Sequence, residues 1–530
     1  MLALTPRDYQ EDGLTDITQA FKEGCDEVLY VSPTGSGKTV LFTYISLKAN
    51  LKGSKGIILV HRIELLRQTS KALLKFEVEH GMVNSLYTPN FQTNIQVASV
   101  GTIVGRLHYF ASINWIPDFI IIDECHHSNA KSYTKIIDFF KEQNSKLRII
   151  GVTATPTRSD GQGLGIDYGG HFSRLIMGPQ AKWLMEQGYL VYPKVYGTPE
   201  YLDLSKIDKS GADYNKQQLS DLVDKPKITG SAVQHYEELC NGVPTIVFCV
   251  TVAHAEHVAE EFRQSGHKFY SIDGNTDDDR REWLINGLAT GEVQGLTSCE
   301  LISEGTDIPR ATCAIELRPT QSKTLNMQQR GRVLRPVYAD GYDLKTQTGR
   351  LAAIAASEKP YAIILDHVNN TQRHGLPTDI QEWTLEGERK KRGSKKQETT
   401  VRVTQCLSCF AVHEPAPVCP ECGHVYPIRD TTPKQVEGKL QEITEVDIIK
   451  KQKRQEVGRA STLEELVKIS KERGYDPKWA TIQYMLKAKK LEKIIPKMPV
   501  IVSVVKPELE TEHELVNQDV EHEFSNDLEF

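Results

Sequence analysis

The chain has 530 residues, which exceeds a single domain of roughly 100–200 residues, so we expect about three or four domains. Its hydrophobic fraction of 39% suffices for buried cores, and no apolar run reaches the roughly 20 residues that cross a bilayer. The net charge is −6, but nine acidic residues and one lysine in 506–530 contribute −8, so the remainder carries +2 and does not exclude a polyanionic partner. Residues 1–7 lack a basic segment followed by an apolar one, so we expect no secretory signal.

The first 195 residues alternate short apolar runs with longer amphipathic stretches. Near-continuous Ile, Val and Leu are typical of parallel strands covered on both faces, and helical patterns follow several of these runs. The alternation predicts an α/β fold. The predicted strands are 28–31, 56–60, 95–100, 119–122 and 148–152.

A glycine-rich loop follows the first predicted strand and precedes a helical pattern. It reads Ser-Pro-Thr-Gly-Ser-Gly-Lys-Thr over 32–39, with Ser32 where the stricter form of such a loop has glycine. Glycines let backbone N–H groups turn towards an anion, and the helix adds the positive end of its dipole. Lys38 can reach the β- and γ-phosphates of ATP, and Thr39 can ligate Mg²⁺. The predicted nucleotide contacts in the loop are Thr34, Gly35, Ser36, Gly37, Lys38 and Thr39.

Two carboxylates end the predicted strand 119–122. The strand delivers Asp123 to its carboxyl end, where parallel sheets bind ligands. We expect Asp123 to hold Mg²⁺ and Glu124 to orient and deprotonate an attacking water. An acidic strand end is common by itself, but combined with the phosphate loop it indicates an ATPase.

A polar connector separates the first α/β region from a second one. Residues 196–227 are polar and are interrupted by proline and glycine, so we interpret them as the connector. The α/β alternation resumes in 228–380, with predicted strands 245–250, 268–272, 294–298 and 313–317 and a last strand near 363–366.

Four further segments complete the predicted organisation. Residues 381–404 are rich in Lys and Arg and are expected to form a solvated linker, with phosphate contact as the alternative. A cysteine module occupies 405–426. Residues 427–505 have the pattern of helices rich in Lys and Glu, and 506–530 are predicted to be a disordered acidic tail.

The cysteine module has the spacing C-x2-C-x9-C-x2-C. Two residues between paired cysteines let both sulfurs face one ion, and four thiolates fit tetrahedral Zn²⁺. The module therefore predicts a closed, structural zinc ribbon held by Cys406, Cys409, Cys419 and Cys422. Thiolates also ligate iron–sulfur clusters, so that alternative stays open, and His413 and His424 are nearby substitute ligands. The other six cysteines are expected to be reduced thiols: Cys25, Cys125, Cys240, Cys249, Cys299 and Cys313.

The order of these motifs resembles superfamily 2 helicases over most of residues 5–336. Asp-Glu-Cys-His at 123–126 is the D-E-x-H signature, and Thr-Ala-Thr-Pro at 153–156 matches the motif that couples hydrolysis to lobe movement. By this resemblance, Arg7 and Gln10 contact the adenine of ATP. The segments 60–68 and 99–103 are similar to nucleic-acid motifs, and the resemblance implies nucleic-acid contacts at His61, Arg62, Thr102 and Ser298.

The second α/β region continues the resemblance. Residues 302–309 look like the family's glycine–aspartate motif near the nucleotide, through Gly305 and Asp307. Residues 328–336 fit Q-x-x-G-R-x-x-R, which implies catalytic roles for Gln328, Arg332 and Arg335. Arginines from a second lobe neutralise the γ-phosphate only when the lobes close, which ties hydrolysis to an open–closed cycle.

The resemblance implies two tandem RecA-like lobes, 1–195 and 228–380, that couple ATP hydrolysis to movement on DNA or to its remodelling in replication, recombination or repair. Within the superfamily the chain is most similar to the RadD-like helicases of bacteria and phages, through the D-E-C-H box, residues 155–164, residues 317–320 and the cysteine module. We therefore expect a cytoplasmic location in a bacterial or phage-infected cell.

Other functions remain open from the sequence. A motor subunit of a restriction endonuclease would need a nuclease centre, for which Glu437-Gly438-Lys439 is the one candidate segment; RNA could replace DNA as the substrate. A non-enzymatic binding module is disfavoured because the ATPase residues are intact. The acidic tail ends in Phe530 and resembles the tip of bacterial single-strand-binding proteins, which suggests a replication or repair partner as the alternative to a solvated tail.

Overall fold

The computed structural model describes most of the chain up to residue 426 and a short C-terminal segment. The described residues are 6–158, 162–197, 204, 207–210, 213–224, 226–299, 308–387, 403–406, 408–426, 457, 460 and 462–492. They belong to two compact units, Met1–Arg429 and Asp430–Phe530. The larger unit contains two parallel-dominated α/β sheets, as predicted.

The first sheet has seven parallel strands in the order β3-β4-β2-β5-β6-β1-β7. Its strands are β1 (Glu27–Val31), β2 (Gly56–Val60), β3 (His80–Val83), β4 (Ile95–Ser99), β5 (Phe119–Asp123), β6 (Arg148–Thr153) and β7 (Arg174–Met177). The accompanying helices are α1 (Asp8–Lys22), α2 (Lys38–Leu51), α3 (Ile63–Lys75), α4 (Val100–Ser112), α5 (Lys131–Gln143) and α6 (Ala181–Glu186).

Helices cover both faces of this sheet, which is why its strands are apolar throughout. In β2, Ile57 and Leu59 pack on one face with residues of α4 and α5. Ile58 and Val60 pack on the other face with residues of α1, α2 and α3. All four side chains are fully buried, so alternation with polar residues is absent from the strand.

The second sheet has eight strands in the order β12-β13-β11-β14-β15-β8-β17-β16. The parallel strands are β8 (Pro193–Gly197), β11 (Thr245–Phe248), β12 (Phe269–Ile272), β13 (Gly295–Ser298), β14 (Cys313–Glu316) and β15 (Ala362–Asp366). The helices of this region are α7 (Lys216–Val223), α8 (Pro226–Cys240), α9 (Val252–Gln264), α10 (Asp278–Thr290), α11 (Lys323–Gly331), α12 (Gln347–Ala355) and α13 (Asn370–His374). A short hairpin of β9 (Lys209–Ser210) and β10 (Asp213–Tyr214) lies in the connector.

Strand β8 crosses the boundary that the sequence places at residue 195. It pairs in parallel with β15, so the chain joins the second sheet before the predicted connector begins. Strand β8 was not predicted, because a five-residue strand of mixed polarity, Pro-Lys-Val-Tyr-Gly, lacks the apolar run that marks the predicted strands.

The cysteine module is built onto the second sheet. Strand β17 (Ala411–His413) pairs antiparallel with β8, and β16 (Thr404–Gln405) pairs with β17. Val412 is buried in the core of the second lobe, and the Lys194 ammonium in β8 lies 2.6 Å from a Glu421 carboxylate oxygen in the module. The module therefore covers a strand that would otherwise form the edge of the sheet.

The described part of the smaller unit is a helical hairpin of α14 (Leu463–Glu472) and α15 (Pro477–Glu492). Leu466, Ala460 and Ala480 form its buried contacts. The side chain of Thr462 accepts a hydrogen bond from the backbone N–H of Glu465, whose carboxylate accepts one from the backbone N–H of Thr462, and this pair begins α14.

These two helices lie within the region 427–505, for which the sequence predicts helices, whereas the acidic tail, the segment 437–439 and most of the basic linker lie outside the described residues. In the part of the chain that the structure describes, no helix combines the length and the hydropathy needed to cross a membrane.

Candidate active site and nucleic-acid interface

The phosphate loop joins β1 to α2, as predicted. Gly35 and Gly37 adopt left-handed backbone conformations with φ of 86° and 82°, which side chains other than glycine rarely tolerate. Lys38 is the first residue of α2, and its ammonium donates hydrogen bonds to the carbonyl oxygens of Ser32 (3.1 Å) and Pro33 (3.2 Å). The loop is therefore folded around the amine that is predicted to bind phosphate.

The polar groups of this loop fit an anion. The buried hydroxyl oxygens of Thr34 and Ser36 have no hydrogen-bond partner among the described residues. Buried hydroxyl groups are normally hydrogen-bonded, so unpartnered ones at a glycine-rich helix start are consistent with a phosphate as the missing partner. A Cβ atom at Gly37 would lie 2.5 Å from the side-chain nitrogen of Gln10, so the loop has no room for a larger residue there.

Charged groups of both lobes converge on Lys38. Loss of hydration lowers the pKa of its ammonium, the carboxylates of Glu124 and Asp123 raise that pKa, and the guanidinium groups of Arg332 and Arg335 lower it. Four of the other five residues predicted to be catalytic therefore lie within electrostatic range of Lys38, although the two arginines come from a remote part of the chain.

Asp123 and Glu124 stand at the carboxyl end of β5, between β2 and β6. The backbone N–H of Glu124 donates to the Asp123 carboxylate at 3.0 Å. Glu124 has φ of 49°, a left-handed conformation that costs a non-glycine residue free energy and that clusters at functional sites. Asp123 is 7% exposed. Its carboxylate and the hydroxyl of Thr39 are hard oxygen donors of the kind that Mg²⁺ prefers.

The second lobe meets the phosphate loop through the end of α11 and the segment that follows it. A Cβ atom at Gly331 would lie 2.4 Å from the Cβ atom of Thr34, so this glycine allows the two backbones to approach closely. A Cβ atom at Gly35 would lie 3.4 Å from Cγ of Arg335. Gln328 is buried, and its side-chain nitrogen has no hydrogen-bond partner within the described ranges.

Arg330 has a different environment from Arg332 and Arg335, the other two arginines of the motif. Its guanidinium donates to both carboxylate oxygens of Glu316, at 2.7 Å and 2.8 Å, and lies 3.6 Å from the Asp366 carboxylate. All three groups are buried, and the nearby carboxylates raise the pKa of Arg330 against the effect of burial. Arg330 therefore fixes α11 to β14 and β15, while Arg332 and Arg335 lie near the phosphate loop.

The predicted adenine segment is attached to the same loop. The side-chain nitrogen of Gln10 donates to the carbonyl oxygens of Ser36 and Gly37, at 3.2 Å each, and its oxygen accepts from the backbone N–H of Arg7 at 2.9 Å. The guanidinium of Arg7 lies 4.6 Å from the ring centre of Tyr189. Gln10 thus connects the start of α1 to the phosphate loop.

The sequence analysis missed the residues that complete this corner of the site. The guanidinium groups of Arg7 and Arg350 both lie over the ring of Tyr189, the second at 4.0 Å from its centre. Tyr189 and Arg350, together with Trp183, line a cavity of about 540 Å³ beside α1. No motif contains these residues, and their contacts join segments that are far apart in the sequence, so nothing in the local pattern indicates them.

The predicted nucleic-acid contacts divide into two groups. His61 and Arg62 follow β2, and Thr102 lies in the first turn of α4 after β4, so the adjacent strands β2 and β4 bring these three half-buried residues to one edge of the first sheet. Ser298 differs because it ends β13, which lies between β12 and β11, and is 1% exposed. Its contact with nucleic acid stays a prediction. Gly305 and Asp307 lie outside the described residues.

Two ion pairs join the helix after this nucleic-acid segment to the second lobe. The Glu64 carboxylate lies 3.0 Å from the Arg281 guanidinium, and the Arg67 guanidinium lies 2.9 Å from the Asp278 carboxylate. Arg281 also lies 3.3 Å from Asp278, so the four charges alternate in sign across the contact between α3 and α10.

The four clustered cysteines have the geometry of a tetrahedral metal site. Their sulfur atoms all lie within 4.8 Å of one another, and the pairs Cys406–Cys422 and Cys409–Cys419 are each 3.7 Å apart. Four sulfurs about 2.3 Å from one Zn²⁺ would be about 3.8 Å apart, which matches these pairs. His413 instead binds Tyr426 and the carbonyl oxygen of Glu414. All ten cysteines are free thiols.

Comparison with known families agrees with this geometry. Residues 3–158 match the family described as type III restriction enzyme, res subunit, and residues 231–337 match the helicase conserved C-terminal domain. A 51.5 kDa protein of a Lactococcus phage is 31% identical over 425 residues, which cover 80% of this chain and 82% of the phage protein. The chain belongs to the superfamily 2 helicases. It is an ATP-dependent helicase or translocase and hydrolyses ATP.

More distant similarities cover less of each protein. IRC3 of Saccharomyces cerevisiae, whose name assigns it to the ATP-dependent helicases, is 31% identical over 350 residues. That match covers 62% of this helicase and 49% of IRC3, so the chain spans about half of that relative. A solved fragment described as an HsdR subunit of a type I restriction enzyme from Vibrio vulnificus is 19% identical to this chain, with a TM-score of 0.52. The match covers 70% of this chain and 66% of the fragment, and at this identity it shows similarity of fold alone. The narrower resemblance to RadD-like helicases stays a prediction.

Proposed function

We propose that this helicase couples ATP hydrolysis between its two lobes to movement along DNA or to remodelling of DNA. The observation that carries the proposal is the convergence of Asp123 and Glu124 from the first lobe and Arg332 and Arg335 from the second lobe on Lys38. An ATPase site completed by two lobes makes hydrolysis depend on their approach, which is the requirement for a motor.

Each residue has a distinct task in the proposed mechanism. Lys38 exchanges its carbonyl partners in the loop for the β- and γ-phosphates. Glu124 orients the attacking water and accepts its proton. Arg332 and Arg335 stabilise the charge that accumulates on the γ-phosphate oxygens in the transition state. Thr39 and Asp123 would hold Mg²⁺, which neutralises phosphate charge when bound.

DNA is the proposed track because two relatives are named for it. A protein of Sulfurisphaera tokodaii that is 22% identical to this helicase is named DNA 3'-5' translocase XPB2. The edge that presents His61, Arg62 and Thr102 lies beside Glu124, so a bound strand would adjoin the catalytic carboxylate. In this proposal the cysteine module binds one structural Zn²⁺, because its sulfur geometry fits and four ligands close the site.

Two substitutions test the ATPase assignment. Lys38→Ala removes a charge that binds nucleotide, whereas Glu124→Gln keeps the size of the side chain and removes its basicity, so both variants should lose turnover while Glu124→Gln still binds ATP. ATP turnover of the wild type is measured in the presence of single-stranded, duplex or forked DNA or of RNA. Unwinding of the same substrates is measured alongside. Stimulation by RNA alone would contradict DNA as the track, and turnover at the wild-type rate in either variant would contradict the catalytic roles.

A restriction-type motor is the second candidate function. The match of residues 3–158 to a restriction-enzyme family favours it, and the EcoKI endonuclease subunit of Escherichia coli is 24% identical over 400 residues. The chain spans 33% of that subunit, so any nuclease activity has to be tested directly. ATP-dependent cleavage of circular duplex DNA by the purified protein would support this candidate, and uncut DNA during active hydrolysis would contradict it.

A further inference from the structure

Three histidine rings form a continuous stack beside the catalytic carboxylate. The ring centres of His61 and His127 are 4.7 Å apart, and those of His127 and His126 are 4.1 Å apart. The ring planes are tilted by 58° and 44°. The stack therefore begins in the predicted nucleic-acid segment and ends in the D-E-C-H box.

Sheet topology explains why these remote residues meet. Strands β2 and β5 are adjacent and parallel, with Leu59 paired to Ile122. His61 follows β2 directly, while His126 and His127 occupy the short 3₁₀ turn Cys125–His127 after β5. Segments that leave adjacent parallel strands at their carboxyl ends lie side by side.

The inner end of the stack contacts Glu124. Nδ1 of His126 lies 3.4 Å from a carboxylate oxygen of Glu124 and 3.2 Å from the hydroxyl oxygen of Thr153. That hydroxyl oxygen lies 3.4 Å from the same carboxylate oxygen. His126 is 9% exposed, so its ring cannot turn without displacing its neighbours. The position of the His126 ring therefore restricts the position of the Glu124 carboxylate.

We propose that His127 is a positioning residue that transmits occupancy of the nucleic-acid site at His61, through His126, to the carboxylate of Glu124. Nucleic acid that moves the His61 ring would move the packed rings behind it and so set the orientation of the catalytic base. The inference rests on the proposed function, because it assumes that nucleic acid binds beside His61 and that Glu124 acts on water.

Ring packing rather than protonation is the proposed means of transmission. His127 contacts His61 and His126 ring to ring, and its side chain is exposed at the surface. A phenylalanine ring would preserve such packing, whereas alanine would leave a gap between His61 and His126. The pair of substitutions His127→Phe and His127→Ala therefore separates packing from imidazole chemistry.

The experiment measures the ratio of ATP turnover at saturating single-stranded DNA to turnover without DNA. It also measures the affinity for the same oligonucleotide by fluorescence anisotropy. His127→Ala should lower the turnover ratio by about threefold or more, a coupling typical of side chains in direct contact, while the affinity stays at the wild-type value. His127→Phe should retain the wild-type ratio. His108→Ala is the matched control, because His108 is another exposed histidine of the first lobe whose ring packs on Phe139 at 5.8 Å.

The outcomes separate this inference from the proposed function. A wild-type ratio in His127→Ala overturns the inference and leaves the proposed function intact. An equal loss in His127→Ala and His127→Phe overturns transmission by ring packing. A fall in affinity that matches the fall in the ratio makes His127 a nucleic-acid contact and overturns its positioning role. A wild type whose turnover no nucleic acid stimulates contradicts the proposed function and the inference together.

Discussion

Glu64 of the first lobe and Arg281 of the second lobe form an ion pair, with 3.0 Å between a carboxylate oxygen and a guanidinium nitrogen. Both side chains are largely buried, at 24% and 13% exposure, so water screens this pair less than a surface pair. Glu64 lies in the first turn of α3, directly after the segment with His61 and Arg62. The contact therefore attaches the nucleic-acid edge of one lobe to the other lobe.

Breaking this contact should reduce ATP turnover because the lobes lose an interaction that favours their approach. Arg281→Glu places a third carboxylate beside those of Glu64 and Asp278 and should lower the turnover number by about threefold or more, and the double variant Glu64→Arg/Arg281→Glu should recover part of the loss. The measurement is steady-state ATP hydrolysis with DNA present.

Arg174→Ala provides the control for this experiment. Arg174 and Glu23 form an ion pair of 3.1 Å within the first lobe, and both side chains are exposed. This variant should keep the wild-type turnover. Additive losses in the Glu64/Arg281 double variant, with no recovery, would show that the pair does not join the lobes during the reaction.

Removing the proposed Zn²⁺ should weaken the second lobe as well as the cysteine module. Strand β17 of the module pairs with β8, and Tyr196 of β8 packs against the buried cluster of Cys406, Ala411 and Cys419. Cys419→Ser should therefore release the metal, lower the melting temperature and reduce ATP turnover, because the folding of such a module depends on metal binding. Metal analysis of the wild type should give one zinc per chain. An unchanged melting temperature in the metal-free variant would contradict the structural role, and Cys25→Ser is the control for loss of a thiol.

Acid should destabilise the second lobe through its buried histidines. Burial lowers the pKa of His367 to about 4, with a further decrease from the neighbouring His235 and an opposing effect of Asp366. Burial likewise lowers the pKa of His254 and of His374 to about 4. An unfolded histidine has a pKa of about 6.5, so the unfolded chain binds more protons between those values. The free energy of unfolding should therefore be highest above about pH 6.5 and should fall as the pH drops towards 4.

A single substitution checks this pH dependence. His367→Gln removes one group that the unfolded state protonates, so the slope of unfolding free energy against pH should decrease by up to about 1.4 kcal/mol per pH unit in that window. Urea unfolding at a series of pH values measures the slope. His108→Gln, which changes an exposed histidine, should keep the wild-type slope. The same slope in the wild type, His367→Gln and His108→Gln would contradict the assignment of part of the pH dependence to His367.

Much of the fold is predictable from local pattern. The strands β1, β2, β5 and β6 appear in the sequence as apolar runs because helices bury both of their faces. Strands β8 and β17 were missed for the opposite reason. Each is short and mixed in polarity, and each exists because a distant segment pairs with it. Long-range pairing of that kind leaves no periodic signal along the chain.

The candidate site shows the same division. Lys38, Asp123 and Glu124 are recognisable because the chemistry requires particular residue types after particular strands. Tyr189 is recognisable only from the structure, in which the guanidinium groups of Arg7 and Arg350 lie over its ring. Ser298 shows what a motif leaves out, since position in a motif does not indicate burial: Ser298 is 1% exposed, and its strand β13 lies between β12 and β11.

Measuring Arg332→Ala in the same assays tests the central claim most directly, namely that the second lobe completes the ATPase site of the first. Arg332 is 6% exposed and lies close enough to Lys38 to lower the pKa of its ammonium. An arginine that stabilises phosphoryl transfer contributes about a thousandfold or more to turnover, so the variant should bind ATP and DNA nearly as well as the wild type while its turnover falls by roughly that factor. ATP turnover within about threefold of the wild type, at equal ATP occupancy, would contradict the account.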